Sequence, residues 1–138
     1  MEKHFFVSTD KTKLNVALIY NYLANESYWA IGRTKETVQK SIENSFCFGL
    51  YNENDEQIGF ARIVTDYAVF AWVMDVFILE GYRKLGLGKL LMDSILTNSQ
   101  LQGLKRWGLA TDDAHGLYEK YGFKPLDKPE TFMAKVLN

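Results

Sequence analysis

The chain has 138 residues, of which 47% are hydrophobic, enough for one domain to bury roughly two-thirds of its unfolded surface. A formal net charge of −1, with scattered cations and a Lys-Arg-Trp run at 105–107 too short for a basic patch, excludes wholesale binding to nucleic acid or an anionic membrane. The single cysteine, Cys47, permits no internal disulfide and, with the distant His4 and His115, makes no zinc set, so no metal is expected.

No apolar run reaches the roughly 18 residues of a membrane span, and residues 1–10 lack the apolar core of a signal peptide. These features lead us to expect a single domain over residues 1–138, in a reducing cytoplasm. In chain order, residues 4–8 (HFFVS) read as a short first strand. Ser8, Thr9 and Asp10 are each able to cap a helix over residues 11–25, where Leu14, Ala17, Leu18 and Tyr22 keep a helical period. Thr34 caps a second helix, with Glu36 in its first turn and an end near Ser45. Residues 45–66 read as a hairpin, two β-rich runs around the polar turn NENDE, with Cys47 packed between Phe46 and Phe48.

A third run, residues 68–79 (AVFAWVMDVFIL), reads as a long, largely buried strand. Asp75 within it is a carboxylate among apolar neighbours, so it needs a partner or a role, and Arg62 on the adjacent strand is the natural partner. Leu87, Leu90, Leu91 and Ile95 then share one helical face. LKRWGLAT gives a strand, DDAHGLYEKYG a short helix ended by Gly122, and TFMAKVL a closing strand. The order β-α-α-β-β-β-α-β-α-β is mixed α+β, and the crossover helix makes the strands flanking it a parallel pair.

The junction EGYRKLGLGKLL, residues 80–91, carries the chemistry. A helix start offers unpaired N–H groups and the positive end of a dipole, glycine lets an anion approach the main chain, and Arg83, Lys84 and Lys89 add cations. Gly81 and Gly86 have P-loop spacing, but Leu87 and Gly88 stand where Lys-Ser/Thr is needed; a dinucleotide turn would need glycine where Leu91 stands. What remains is Arg83-x-x-Gly86-x-Gly88. With Tyr82 before it, this resembles the GNAT superfamily of acetyl-CoA-dependent N-acetyltransferases, Glu80 replacing a common proline. A second segment, Ala114, Leu117, Tyr118, Glu119, Lys120, Gly122 and Phe123, resembles the family's later motif.

The resemblance implies a central, mostly antiparallel sheet flanked by helices, with the parallel pair at the cofactor site. It implies acetyl-CoA as cosubstrate, held by the main chain of Val76, Phe77 and Ile78, by Arg83, Lys84, Leu85, Gly86, Leu87, Gly88 and Lys89, and by Thr111 and Ala114. Thr111 replaces a common asparagine. Tyr118 is implied as the general acid for the departing thiolate, its ordinary pKa near 10 suiting a donor that stays protonated. Asp75, Asp66, His115 or a water chain could take the amine's proton. Tyr28, Trp29 and Arg33 from the connection of the first two helices, beside Tyr22 and Glu26, and Arg62 and Asp66 from the strands are candidates for the acceptor pocket. The expected acceptor is a small-molecule or peptide amine, and homodimers are common in the resembled family. A non-catalytic CoA-binding module is the alternative.

Overall fold

A computed structural model describes residues 4–137. Five strands form one sheet in chain order: β1 (Phe6–Ser8), β2 (Phe46–Tyr51), β3 (Gln57–Thr65), β4 (Phe70–Ile78) and β5 (Arg106–Gly108). The first four are mutually antiparallel and β4 pairs with β5 in parallel, the mixed topology the element order implied. Helices α1 (Val16–Asn25) and α2 (Lys35–Glu43) precede β2, α3 (Leu87–Leu96) crosses from β4 to β5, and α4 (His115–Glu119) follows.

Both faces of the sheet are covered, which explains why β2 is buried along its whole length and reads as an unbroken apolar run. On one face Phe46, Phe48, Ala61, Ile63 and Val73 pack with Leu91, Met92 and Ile95 of α3. On the other, Cys47, Phe60 and Phe77 pack with Ile19, Tyr22 and Leu23 of α1 and with Val38 and Ile42 of α2. Cys47 is 1% exposed and burial pushes its thiol up to about 11, so it is a packing residue. Among the described residues no helix is long and apolar enough to cross a membrane.

Three elements differ from the sequence expectation. Helix α1 starts later, because Asp10 caps only a short 3-10 turn at Lys11–Lys13, and the cap that starts the helix is Asn15, whose side chain accepts from Leu18 N at 3.0 Å. Gln57 Oε1 accepts from Asn15 N at 2.7 Å, tying the cap to β3. Strand β5 is only three residues long, and residues 109–111 leave the sheet. The closing strand over residues 131–137 does not form: Pro129–Thr131 makes a 3-10 turn and residues 132–137 run on without a sheet partner. A β-rich segment becomes a strand only where an edge receives it, and this one touches the sheet through Phe132 against Trp72, ring centroids 6.2 Å apart.

Candidate active site

Strands β4 and β5 share register over Phe70–Arg106, Ala71–Trp107 and Trp72–Gly108 only, and beyond these they part. The β5-facing edge of residues 73–78 is left without a neighbouring strand. A cavity of about 310 Å³ fills the opening, lined by residues 72–76 of β4, residues 109–114 after β5, Tyr28, Trp29 and Arg33 from the α1–α2 connection, and Tyr118 of α4. Gly108 makes room for its wall, since a Cβ there would run into the Trp72 ring.

A bulge sits at the mid-point of that edge. Phe60 pairs with Phe77 and Arg62 with Met74, so β4 carries one residue more than β3 between these rungs. Asp75, inside the bulge, has φ +54°, a left-handed conformation unusual for aspartate in a strand. Its side chain is 1% exposed, and three donors from two distant segments hold it: Trp29 Nε1 on Oδ1 at 2.9 Å, with Arg33 Nη1 at 2.9 Å and Arg62 Nε at 2.8 Å on Oδ2. Arg62, itself buried, also donates to Ser45 Oγ at 3.0 Å. The carboxylate therefore ties the aromatic α1–α2 connection to the strand that borders the cavity.

At the far end of β4, a 3-10 turn at Glu80–Tyr82 leads into α3. Lys84 at φ +67° and Gly86 at φ +76° bend the chain so that six consecutive N–H groups, Lys84 to Lys89, have no acceptor among the described residues. The first intrahelical bond is Leu90 N to Gly86 O at 3.3 Å. No atom lies within 4 Å of a Cβ built on Gly86, so the concavity is open. Arg83 is occupied nearby, donating from Nε to Ile78 O at 3.0 Å and from Nη2 to Tyr22 Oη at 2.9 Å. Tyr22 stacks on Phe77 with ring centroids 4.0 Å apart, so Arg83 braces the turn against α1.

Helix α4 brings Tyr118 to the cavity. Gly122, at φ +90°, ends the helical stretch, and Phe123 returns to lie edge-on to the Tyr118 ring at 6.0 Å. Tyr118 is 8% exposed and its hydroxyl bonds no protein group among the described residues. Burial, with smaller contributions from Tyr28 and Asp113, pushes it up to about 12. Thr111 Oγ1 accepts from Ala114 N at 3.1 Å and Asp113 N at 3.4 Å, and Asp112 N donates to Tyr28 Oη at 3.0 Å, latching the α1–α2 connection to the β5–α4 loop.

The model of the GNAT acetyltransferase domain matches residues 43–125. The chain belongs to the GNAT acetyltransferase family. Consistent with this, the structure is similar to that of a GNAT-family protein of Xanthomonas campestris pv. campestris, with 42% identity, a TM-score of 0.93, and coverage of 97% of this chain and 94% of that one. In sequence, the chain is also similar to an uncharacterized N-acetyltransferase, ycf52, of Gracilaria tenuistipitata var. liui, 30% identical over 125 residues, 81% of this chain and 69% of that protein. A Clostridium acetobutylicum structure with acetyl-CoA shares the fold, at TM-score 0.69 and 15% identity over 99% of this chain and 96% of that one.

The open edge of β4, Tyr118 and the residues Tyr28, Trp29 and Arg33 expected on the acceptor side converge on one cavity. Arg62 stands behind it and reaches it only through Asp75. Two sequence candidates are not brought there. His115 is exposed at the start of α4 and absent from the cavity wall. Asp66 closes the β3–β4 turn, its Oδ1 accepting from the N–H groups of Ala68, Val69 and Phe70 at 2.8–3.1 Å, which hold its carboxyl below the usual range. An acidic side chain in a tight turn is consumed by local N–H groups, and here that outweighs any reach toward the cavity. Sequence reasoning missed Trp72, Asp112 and Asp113 on the wall; a polar pair just after a short parallel strand was the available signal. The pyrophosphate of CoA fits the residues present, because the open cradle offers six N–H donors that have no acceptor among the described residues.

Proposed function

We propose that the protein transfers acetyl from acetyl-CoA to a primary amine, by direct attack in a ternary complex. The observation that carries this reading is the run of free N–H groups from Lys84 to Lys89, placed at the end of a strand whose neighbouring edge is open. Acetyl-CoA, when bound, supplies an acetyl group activated as a thioester. The cradle would hold the pyrophosphate; main-chain groups of Val76, Phe77 and Ile78 would hold the pantetheine arm and polarise the acyl carbonyl. Thr111 and Ala114 border the same opening, although the Thr111 hydroxyl already accepts from its own loop.

Tyr118 holds its proton at Oη well above neutrality, in a buried position on the cavity wall, and so is fit to release it only to a strongly basic leaving atom. Asp75 is poorly placed to be the base, because both its oxygens are engaged by three donors. It acts instead as the anchor of Trp29 and Arg33. The proton of the attacking amine passes to water in the cavity mouth beside Asp112 and Asp113, which face solvent.

Calorimetric titration with coenzyme A, followed by a thiol-release assay with acetyl-CoA across an amine panel, tests the reading. CoA binding and amine-dependent thiol release are expected. Binding without turnover on any amine would instead make this a CoA-binding module, and preference for NAD over CoA would overturn the cradle assignment.

A further inference from the structure

The charges around the cavity are segregated. On the α1–α2 side, one carboxylate, Asp75, faces two guanidinium groups, Arg33 and Arg62, which leaves that corner with one positive charge in excess. Arg62 is buried at 8% exposure, and its three nitrogens are directed to Asp75, Ser45 and the Met74 sulfur. Arg33 differs. Its side chain is 19% exposed and lines the cavity, one terminal nitrogen is pinned on Asp75 Oδ2, and its Nε and second terminal nitrogen have no acceptor among the described residues. A guanidinium oriented by one carboxylate, with a free N–H fork toward a cavity, matches an incoming carboxylate or phosphate in bidentate geometry.

The opposite wall has the opposite sign. Asp112 and Asp113 lie on the β5–α4 loop, both exposed, and Asp113 stands near enough to Tyr118 to act on its hydroxyl. The two walls are joined at the Tyr28 latch, so each charge keeps its side. Trp29 and Trp72 also line the cavity. At about 310 Å³ the cavity sits at the low end for small-molecule sites. A polyamine would bring a second cation to Arg33, so this pattern argues against one.

Resting on the amine-acetylation reading above, we propose that the acceptor is a small zwitterion of the α-amino-acid class, its anionic group on Arg33 and its amine on the side of Asp113 and Tyr118. Arg33 is then the residue that selects the acceptor. In the transfer the bound ammonium first gives one proton to water. The neutral amine nitrogen then bonds to the acetyl carbon, the carbon–sulfur bond breaks, the sulfur takes a proton from Tyr118 and the nitrogen gives its second proton to water. One proton returns from solvent to Tyr118, leaving an N-acetyl amino acid, CoA and one released proton.

The test is a panel of α-amino acids, each with its amide and its decarboxylated amine, assayed for thiol release from acetyl-CoA. At least one free acid should exceed its amide and its amine by roughly 10–100-fold in kcat/KM, the worth of a charge-assisted hydrogen bond. Arg33→Met should abolish that preference. Arg33→Lys, which keeps a charge for Asp75 should the Met variant fail to fold, should reduce it. Equal or better turnover of amides and amines, or a preference that survives Arg33→Lys unchanged, would overturn the proposal. Should no amine turn over, tryptophan fluorescence titrated with the same amino acids in the presence of CoA decides separately: a saturable change weakened by Arg33→Lys supports the anion subsite even with the acetylation reading lost, and no change removes it. Calorimetry with CoA alone reports on the cradle independently.

Discussion

Asp75 joins a strained backbone to a buried ion cluster, and Tyr118 joins a buried hydroxyl to an open cavity. Removing the carboxylate in Asp75→Ala would leave Arg62 buried without its partner, a loss of about 3–5 kcal/mol in a denaturant titration. Asp75→Asn keeps an acceptor for Trp29 Nε1 and should lose less; equal losses would mean that the neutral acceptor contributes nothing and the charge pairs carry the whole effect. Tyr118→Phe should lower kcat by about 100-fold or more while CoA affinity and melting temperature stay near wild type, since the hydroxyl bonds no described protein group. The sign of the pH effect follows from the raised value. The folded pKa of about 12 exceeds the unfolded value near 10, so the stability tied to the neutral phenol is intact below pH 10 and falls as pH rises from 10 to 12. No basic limb of the rate profile below pH 10 should disappear in Tyr118→Phe. The Asp75–Arg62 pair was legible from an aspartate in an apolar run beside a strand bearing arginine. Trp29 and Arg33 reach it from 46 and 42 residues away, and nothing local announces such partners.

The cradle belongs to an element, the start of α3, and was the most legible feature of the chain because its determinants are local: two glycines and a helix beginning. Gly86→Asp would add no clash, as nothing lies within 4 Å, but would force a side chain into φ +76° at about 1–2 kcal/mol and place a negative charge where a phosphate is expected. Coenzyme A affinity should fall at least tenfold by calorimetry, and the far-ultraviolet dichroism should be unchanged. Intact affinity would refute the site. At α1, Asn15→Ala should cost about 1 kcal/mol in thermal unfolding, whereas Ser8→Ala and Thr9→Ala, the caps suggested by the sequence, should cost less. That start was misplaced because residues 8–15 hold several capping side chains, and the choice among them is made by Gln57 on a different strand. The closing strand was misread for a related reason: its apolar composition is visible locally, whereas the edge it would need is not.

For the whole molecule, the sheet order followed from hairpins and one crossover, and both are written in the spacing of turns and helices. The length of β5 was not, and the residues missing from it form the cavity wall. Ending the chain after Phe132 should leave the melting temperature within a few degrees, because Met133, Val136 and Leu137 are 79–93% exposed and bury little. A large loss would show that the tail packs on the sheet after all.

The short parallel pairing has a kinetic consequence. Strands β2 to β4 form a long antiparallel array, whereas β5 is attached by three rungs after a crossover and carries α4 behind it. Opening that seam would release the segment bearing Tyr118 while the array and the turn before α3 stay folded. Amides of Arg106–Gly108 should then exchange with deuterium through a lower-energy opening than those of β2 and β3, and coenzyme A, by bridging the two sides of the seam, should slow them. Exchange at one common free energy across the sheet would show the seam to be as firm as the rest. If it opens as expected, the acid and the cradle sit on pieces that can part, and the rate of parting sets an upper limit on how fast a product held between them can leave.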